Sequence, residues 1–255
     1  MRLQNKVAVV TGAARGVGEA VVRRMAEEGA RVVAVDILQA PLEAVAEALR
    51  ARGLEVTAVV ADVSTKEGNQ KAVRAATQRY GGLDIFHGNA AVIRMADLAR
   101  TTEELWDQTQ DVNLKGIFLG CQLAIPEMIR RGGGSLLFTA SVLGIVGDPE
   151  LPAYGAAKGG LRALCRSLAV AYGPQNIRCN TICPGDIRTQ MYESYLEGSV
   201  DPAAALKKIE DSYPLRRIAV PDDVANVAVF LASGEGSYIT GTDILVDGGL
   251  LAKCY

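Results

Sequence analysis

Histidine and cysteine are scarce in this sequence, which limits the metal and nucleophile chemistry open to it. It has one histidine, His87, and five cysteines. A lone histidine argues against a histidine-rich metal site and leaves one candidate base for a hydrolase triad. Because it follows the apolar Ile85-Phe86, we expect it to line the end of a strand. Cys179 and Cys183 fit neither C-x-x-C nor a paired zinc spacing, so we expect buried free thiols and no metal site.

The sequence also lacks an excess of charge and any long apolar run. Its formal net charge is −2 at pH 7, so we expect no nucleic-acid partner and no membrane-surface partner. No apolar run approaches the ~20 residues that a membrane-spanning helix requires. Residues 1–6 do not read as a signal peptide. We therefore expect a cytoplasmic protein, and its apolar content of 49% is ample for a core.

A glycine-rich turn follows the first apolar segment. Residues 7–10 form an unbroken apolar run, typical of a buried parallel strand. The sequence Thr-Gly-Ala-Ala-Arg-Gly-Val-Gly then occupies 11–18, and a helical pattern begins. Glycines let the backbone approach a pyrophosphate, and a helix N-terminus offers it free N–H groups. With a strand before it and a helix after it, this turn predicts a dinucleotide site; an ordinary tight turn is the competing interpretation.

An acidic residue ends the second apolar segment and bears on the choice of cofactor. Asp36 follows Arg31-Val-Val-Ala-Val35, near the ~20-residue spacing expected for a carboxylate that binds the adenosine ribose. A 2′-phosphate about 4 Å away would meet repulsion of about 4 kcal/mol per charge at intermediate dielectric. NAD is therefore predicted over NADP. Arg15 is contrary evidence, since it could attract a phosphate, but Ile37 offers no second cation.

Strand and helix patterns alternate along most of the chain. Strand patterns lie near 7–10, 31–35, 56–60, 83–87, 135–139, 177–182 and 243–246. Helical patterns lie near 17–29, 40–52, 67–80, 103–131, 153–172 and 222–232. The alternation predicts right-handed βαβ crossovers and an α/β fold. We expect one Rossmann-like doubly wound domain over 1–255, with a seven-stranded parallel sheet and helices on both faces.

Tyr154 and Lys158 lie one helical turn apart and share a helix face. A free tyrosine titrates near pKa ~10, and lowering this to about 7 requires roughly 4 kcal/mol. A neighbouring cation in a poorly solvated site can supply such a shift. The pair therefore predicts an acid/base for a hydroxyl or carbonyl, although a core tyrosine beside a solvated lysine has the same spacing. Gly155, Gly159 and Gly160 weaken this helix and indicate close approach by another backbone or a ligand.

In their order and separations, these motifs resemble the short-chain dehydrogenase/reductase family, in its single-domain branch, over nearly the whole chain. The resemblance is carried by the glycine motif 11–18, Asp62-Val63, Asn89-Ala90-Ala91, Asn113, Ser141, Tyr154 with Lys158, Pro184-Gly185 through Thr189, and Asp247-Gly248-Gly249. The family often has Asn-Asn-Ala-Gly where this chain has Gly88-Asn89-Ala90-Ala91. Ala91 would slightly narrow the floor under the nicotinamide.

The resemblance implies a catalytic set of four residues. Tyr154 would be the acid/base, and Lys158 would lower its pKa and hold the nicotinamide ribose. Ser141 would hydrogen-bond the substrate oxygen and the tyrosine, and Asn113 would bend its helix and hold a water in a proton relay. From the residues alone, Ser141 could instead be a turn or cap residue, and Asn113 a surface residue.

The resemblance also implies a set of cofactor-binding residues around NAD. Besides Tyr154 and Lys158, these are Gly12, Arg15, Gly16, Val17 and Gly18 at the pyrophosphate, Asp36 at the ribose, Asp62 and Val63 at the adenine, Asn89 and Ala91 behind the cofactor, and Ile187 and Thr189 at the nicotinamide amide. The cofactor-binding set also includes Ile37, Pro184 and Gly185. Family members are usually homotetramers built through helices corresponding to 103–131 and 153–172, so we expect a homotetramer.

The expected reaction is reversible hydride transfer between a secondary alcohol, or its ketone, and NAD. Specificity is expected in 142–153 and in a helical lid over about 186–213. Charged residues near these segments could hydrogen-bond a sugar or polyol or could be solvated loop charges: Arg94, Asp148, Glu150, Asp186 and Arg188.

Two other functions stay open. One is an NADPH-dependent ketone or 3-oxoacyl-thioester reductase, which Arg15 favours and Asp36 opposes. The other is a non-catalytic NAD-binding scaffold or sensor. The complete Ser-Tyr-Lys set argues against the scaffold, which has no need of it.

Overall fold

A computed structural model describes residues 1–190, 192 and 201–253. Its centre is a seven-stranded parallel sheet in the order β3-β2-β1-β4-β5-β6-β7. The strands are β1 Val7–Thr11, β2 Arg31–Asp36, β3 Val56–Val60, β4 Ile85–Gly88, β5 Gly134–Thr139, β6 Ile177–Pro184 and β7 Asp243–Val246. The doubly wound α/β fold predicted from the alternating pattern is confirmed.

The helices lie close to their predicted positions, with one interruption. They are α1 Gly16–Glu27, α2 Gln39–Ala51, α3 Lys66–Tyr80, α4 Glu103–Gln110, α5 Gly116–Arg130, α6 Pro152–Tyr172, α7 Pro202–Ser212 and α8 Pro221–Ala232. The pattern over 103–131 predicted one continuous helix, whereas a π-helical segment, Asp111–Lys115, separates α4 from α5. Part of the predicted lid, residue 191 and residues 193–200, lies outside the described residues.

The two faces of the sheet are covered by different helices. Along β1, Ala8 and Val10 pack in a core cluster with residues of α1, α2 and α8. Val7 and Val9 point to the other face and pack with residues of α3, α5 and α6. Successive side chains of a strand point to opposite faces, so a strand buried on both sides reads as an unbroken apolar run.

The candidate site lies beside β1, where the order of the strands in the sheet changes direction. β1 pairs with β2 on one side and with β4 on the other. In doubly wound sheets, a crevice opens at the carboxyl ends of the strands at this point. Gly12 follows β1 here, and Asn89 follows β4. The fold therefore brings the glycine turn and the residues after β4 to one edge of the sheet.

Four cysteines lie within the described residues, and all four are buried. Cys179 and Cys183 are buried free thiols, as predicted, and so are Cys121 and Cys165. Within the described ranges, no cluster of three or more His, Cys, Asp or Glu side chains could hold a metal ion. No helix there combines the length and the apolar character needed to cross a membrane.

Helix α5 packs closely on the sheet at Gly120. A Cβ at this position would collide with the ring of Phe86 on β4 and would lie 2.9 Å from Oδ1 of Asn69. Gly120→Ala should therefore lower the free energy of unfolding by about 1–3 kcal/mol, measured by urea denaturation. Gly173→Ala is the control, because an added Cβ there meets nothing within 4 Å. Equal stability of the two variants would contradict the tight packing.

Candidate active site

The glycine turn has the shape of a cradle for an anion. Gly12 and Gly16 have φ values of +66° and +60°, which favour glycine. A Cβ on Gly12 would lie 2.7 Å from Cα of Ala90, and one on Gly18 would collide with the carbonyl of Gly12. Arg15, the residue before α1, makes no capping hydrogen bond with its side chain. The N–H groups of the first turn, which includes Val17, can therefore bind a pyrophosphate.

Asp36 is fixed beside this turn at the end of β2. Its Oδ2 accepts from Ala14 N at 3.0 Å and its Oδ1 from Leu38 N at 3.0 Å. Ile37 is 64% exposed. Arg15 extends toward the start of the predicted lid, where its Nη1 donates to Oε1 of Gln190 at 3.3 Å. The position of Asp36 fits that of a carboxylate at the ribose of a dinucleotide.

The predicted adenine residues follow β3, on the same edge of the sheet. Asp62 is exposed, and its Oδ1 accepts from both the N–H and the hydroxyl of Ser64. Val63 is buried, and its carbonyl accepts from Nδ2 of Asn69 at 2.7 Å. The apolar side chain of Val63 is suited to pack on the face of an adenine base, and the carboxylate of Asp62 is suited to accept a hydrogen bond from its edge.

Asn89 joins three strand ends. Its Nδ2 donates to the carbonyls of Thr11 and Gly12 at 3.1 and 3.3 Å. Its Oδ1 accepts from Oγ1 of Thr139 at 3.0 Å. The glycine turn, β4 and β5 are therefore held in one arrangement, with Ala91 just beyond and half-buried.

The segment after β6 closes the opposite side of the crevice. Pro184 ends β6, and Gly185 N donates to Val246 O at 3.2 Å. Ile187 forms a parallel bridge with Ala219. The methyl group of Thr189 lies 3.3 Å from the position that a Cβ on Gly16 would take. This segment therefore reaches across to the glycine turn. Its position fits the prediction that Ile187 and Thr189 contact a bound nicotinamide dinucleotide.

Asn113 lies in the π segment and is fully buried, so the surface interpretation is wrong. Its Oδ1 accepts from Val92 N and its Nδ2 donates to Val92 O, both at 2.8 Å. The side chain thus fixes the loop after β4. π turns are rare and often occur at functional sites.

Ser141 begins a short turn that packs against α6. Its Oγ accepts from Leu143 N at 3.1 Å, so it caps the turn, and the Ser141 hydroxyl also acts to lower the pKa of the nearby Tyr154 phenol. A Cβ on Gly155 would lie 3.1 Å from Leu143 O, and one on Gly144 would lie 2.8 Å from the carbonyl carbon of Lys158. The predicted close approach to this helix is confirmed, and the approaching backbone is the turn after Ser141.

The side chain of Lys158 is buried, and its ammonium lies over the ring of Tyr154. Its Nζ donates to Thr139 O at 2.7 Å and lies 5.3 Å from the centroid of the Tyr154 ring. Burial lowers the pKa of Lys158 to about 8, while Cys183 opposes this shift. Burial also raises the pKa of Tyr154 to about 12, against a smaller lowering by Ser141. Without a bound cofactor, burial therefore outweighs the effect of an ammonium placed over the ring and directed at Thr139, and ionisation of the phenol near neutral pH stays a prediction for the site beside a bound nicotinamide.

The charged residues considered for substrate recognition divide into two groups. Arg94, Glu150 and Arg188 have exposed hydrogen bonds to loop or surface groups. Asp186 is different, because its Oδ2 accepts from the hydroxyl of Tyr213 at 2.8 Å and burial raises the pKa of its carboxyl group. The negative charge of Asp148 raises the pKa of Asp186 further. Asp148 and Asp186 belong to the two predicted specificity segments, which are therefore close enough to interact electrostatically.

Sequence reasoning missed Thr139 as a site residue. Its hydroxyl bonds Asn89 and its carbonyl bonds Lys158. The available signal was its place at the end of β5, two positions before Ser141, at the edge where ligands of such sheets bind.

Comparison with known proteins identifies the family. A family model described as Enoyl-(Acyl carrier protein) reductase matches residues 12–251. A protein from Burkholderia xenovorans assigned to the short-chain dehydrogenases/reductases has a crystal structure that superposes with a TM-score of 0.95 at 36% identity, covering 100% of this chain and 99% of that one. The chain belongs to the short-chain dehydrogenase/reductase family. It is thus a member of an oxidoreductase family whose cofactor is NAD or NADP.

Curated short-chain dehydrogenase/reductase relatives are similar over nearly their whole length. Oxidoreductase UcpA of Salmonella typhimurium is 41% identical over 251 residues, covering 97% of this chain and 95% of the relative. The 3-oxoacyl-[acyl-carrier-protein] reductase FabG of Thermotoga maritima is 39% identical over 251 residues, covering 98% and 100%.

The ionisation of Tyr154 in this short-chain dehydrogenase/reductase is open to direct measurement. In the protein without cofactor, we expect no ionisation up to about pH 10, because burial disfavours the phenolate. Binding of NAD⁺ should lower the pKa, since its nicotinamide ring is positively charged. NMR of ¹³Cζ-labelled tyrosine would follow this, with Tyr154→Phe assigning the signal. Titration near pH 7 without cofactor would contradict the dominance of burial.

Proposed function

We propose that this protein catalyses reversible hydride transfer between a secondary alcohol, or its ketone, and NAD. One observation carries the proposal. The hydroxyls of Ser141 and Tyr154 and the ammonium of Lys158 converge at the carboxyl end of β5, where doubly wound sheets bind their ligands. A half-buried phenol, a hydroxyl and a buried cation brought together in this way form an acid/base set.

The chain's own residues would divide the work as follows. Tyr154 takes the proton of the alcohol, or returns it to the ketone, while Ser141 hydrogen-bonds the same oxygen. Lys158, fixed by Thr139, stabilises the phenolate electrostatically and holds the ribose. Asn113 belongs to the relay that carries the proton away. When bound, the nicotinamide supplies the hydride acceptor or donor.

The choice of NAD rests on Asp36. Hydrogen bonds from Ala14 and Leu38 hold its carboxylate beside the glycine turn. A 2′-phosphate at about 4 Å would be repelled by about 4 kcal/mol per charge. Arg15, which could compensate, has its guanidinium on Gln190.

An NADPH-dependent reductase of ketones or 3-oxoacyl thioesters is the second candidate. Similarity to a 3-oxoacyl-[acyl-carrier-protein] reductase of Thermotoga maritima favours it, as does the presence of Arg15 in the glycine turn. Asp36 remains the feature that opposes it.

The proposal includes a single domain over 1–255, a helical lid over about 186–213 and a homotetramer in the cytoplasm. α7 supplies helical structure within the lid segment. Phe118 on α5 and Val170 on α6 are 41% and 82% exposed, which suits helices that pack against another copy. A sugar or polyol is the proposed substrate class, with Asp186 and Asp148 as hydrogen-bond acceptors.

Tyr154→Phe tests the catalytic assignment. Removing the hydroxyl should lower kcat by about 10²–10⁴-fold, the range for general acid–base catalysis, while NAD binding changes by less than about twofold. Steady-state absorbance of NADH and a separate binding titration would measure both. Tyr172→Phe, the same change at the far end of α6, is the control and should retain activity. Appreciable turnover by Tyr154→Phe would refute the assignment.

Asp36→Asn tests the cofactor preference. The amide keeps one acceptor but removes the negative charge, so NADPH affinity should rise about tenfold or more while NADH affinity falls. Fluorescence titration with both reduced cofactors would measure this. If the unmodified protein already prefers NADPH, the result would support the NADPH-dependent reductase and contradict the argument from Asp36.

A substrate screen separates an enzyme from a binding scaffold. Secondary alcohols, sugars and polyols would be tested with NAD and NADP in parallel at the absorbance band of the reduced cofactor. NAD binding without turnover of any substrate at any pH would favour the scaffold.

A further inference from the structure

His87 stands behind the candidate site in a position that the proposed reaction does not use. The side chain is fully buried near the carboxyl end of β4. Its Nε2 lies 2.9 Å from Oγ1 of Thr139. Its Nδ1 has no hydrogen-bond partner among the residues that the structure describes. Such a buried polar group needs an explanation.

The surrounding hydrogen bonds decide which imidazole nitrogen carries the proton. Nδ2 of Asn89 donates to the carbonyls of Thr11 and Gly12, so the Oδ1 that faces Thr139 is an acceptor. The single hydroxyl proton of Thr139 is therefore given to Asn89. Thr139 can then only accept from His87, which places the imidazole proton on Nε2.

The unpartnered Nδ1 agrees with this tautomer. Buried N–H donors without partners are rarer than buried acceptors without partners. Burial, together with the charge of Lys158, lowers the pKa of His87 to about 3. The ring is therefore neutral and has one donor, directed at Thr139.

Thr139 connects His87 to both parts of the candidate site. Its hydroxyl fixes Asn89, which holds the glycine turn, and its carbonyl accepts from Lys158 Nζ at 2.7 Å. With the other tautomer, Nε2 would take the Thr139 proton, and Oδ1 of Asn89 would lose its donor beside Gly12.

We propose that His87 is a positioning residue: its Nε2–H sets the direction of a donor chain that runs through Thr139 and Asn89 to the glycine turn. It acts on the dinucleotide only through these two residues. The expected effect on dinucleotide affinity rests on the proposed function, whereas the tautomer and the direction of the chain do not.

The lone histidine makes the tautomer directly measurable. In protein containing ¹⁵N-labelled histidine, all imidazole signals come from His87. We expect a protonated Nε2 and an unprotonated Nδ1, with no titration from about pH 5 to about pH 9. Thr139→Val should shift the Nε2 signal, because it removes the acceptor. A protonated Nδ1, titration in that range or an unchanged signal in Thr139→Val would overturn the proposal, whether or not the protein binds a dinucleotide.

Substitutions then test positioning against simple packing. His87→Leu removes the donor, and we expect it to raise the Kd for NADH about fivefold, the effect of one typical hydrogen bond. His87→Gln keeps an N–H donor at the end of a side chain of similar reach and should stay within about twofold of the unmodified protein. The double variant His87→Leu/Thr139→Val should bind NADH no worse than Thr139→Val alone, because both changes break the same chain.

Thermal unfolding of the same variants provides the discriminating readout. A lower Tm for His87→Leu with unchanged Kd would mean that the ring only fills space, which would overturn the proposal. Additive losses of affinity in the double variant would also overturn it. Failure of the unmodified protein to bind NADH or NADPH would instead refute the proposed function, and the NMR measurement would still decide the direction of the chain.

Discussion

The ammonium of Lys158 is buried, and the main-chain carbonyl of Thr139 holds it at 2.7 Å. A buried cation without a polar partner would be costly, so this contact fixes where the charge lies in the site. The same residue holds Asn89 through its hydroxyl. The position of the charge and the shape of the glycine turn therefore depend on one residue at the end of β5.

Glycines serve two different purposes on either side of this residue. In the turn after β1, Gly12 and Gly16 adopt left-handed backbone conformations, which open the N-terminus of α1 to an anion. In α6, Gly155 is in a helix, where its backbone is not unusual, but a Cβ on it would lie 3.1 Å from Leu143 O in the turn that follows Ser141. A side chain there would press on the turn that begins at Ser141.

Electrostatics in the site are governed by burial more than by proximity. An ammonium near a phenol would be expected to lower its pKa, yet burial raises that of Tyr154 and lowers that of Lys158. Both shifts favour neutral groups, as expected where water is excluded. A site of this kind responds strongly to any charge brought in by a ligand, since it offers little solvent screening.

The sequence by itself determined the alternating strands and helices, the glycine turn after β1 and the acidic end of β2, because these are expressed in local periodicity and in the chemistry of short segments. The same local signals placed Tyr154 and Lys158 on one helix face. Only the tertiary structure decided that Asn113 lies in a buried π turn, that Thr139 holds the ammonium and that burial controls the Tyr154 phenol. These features arise where distant segments meet, and no periodicity along the chain records the distances between them.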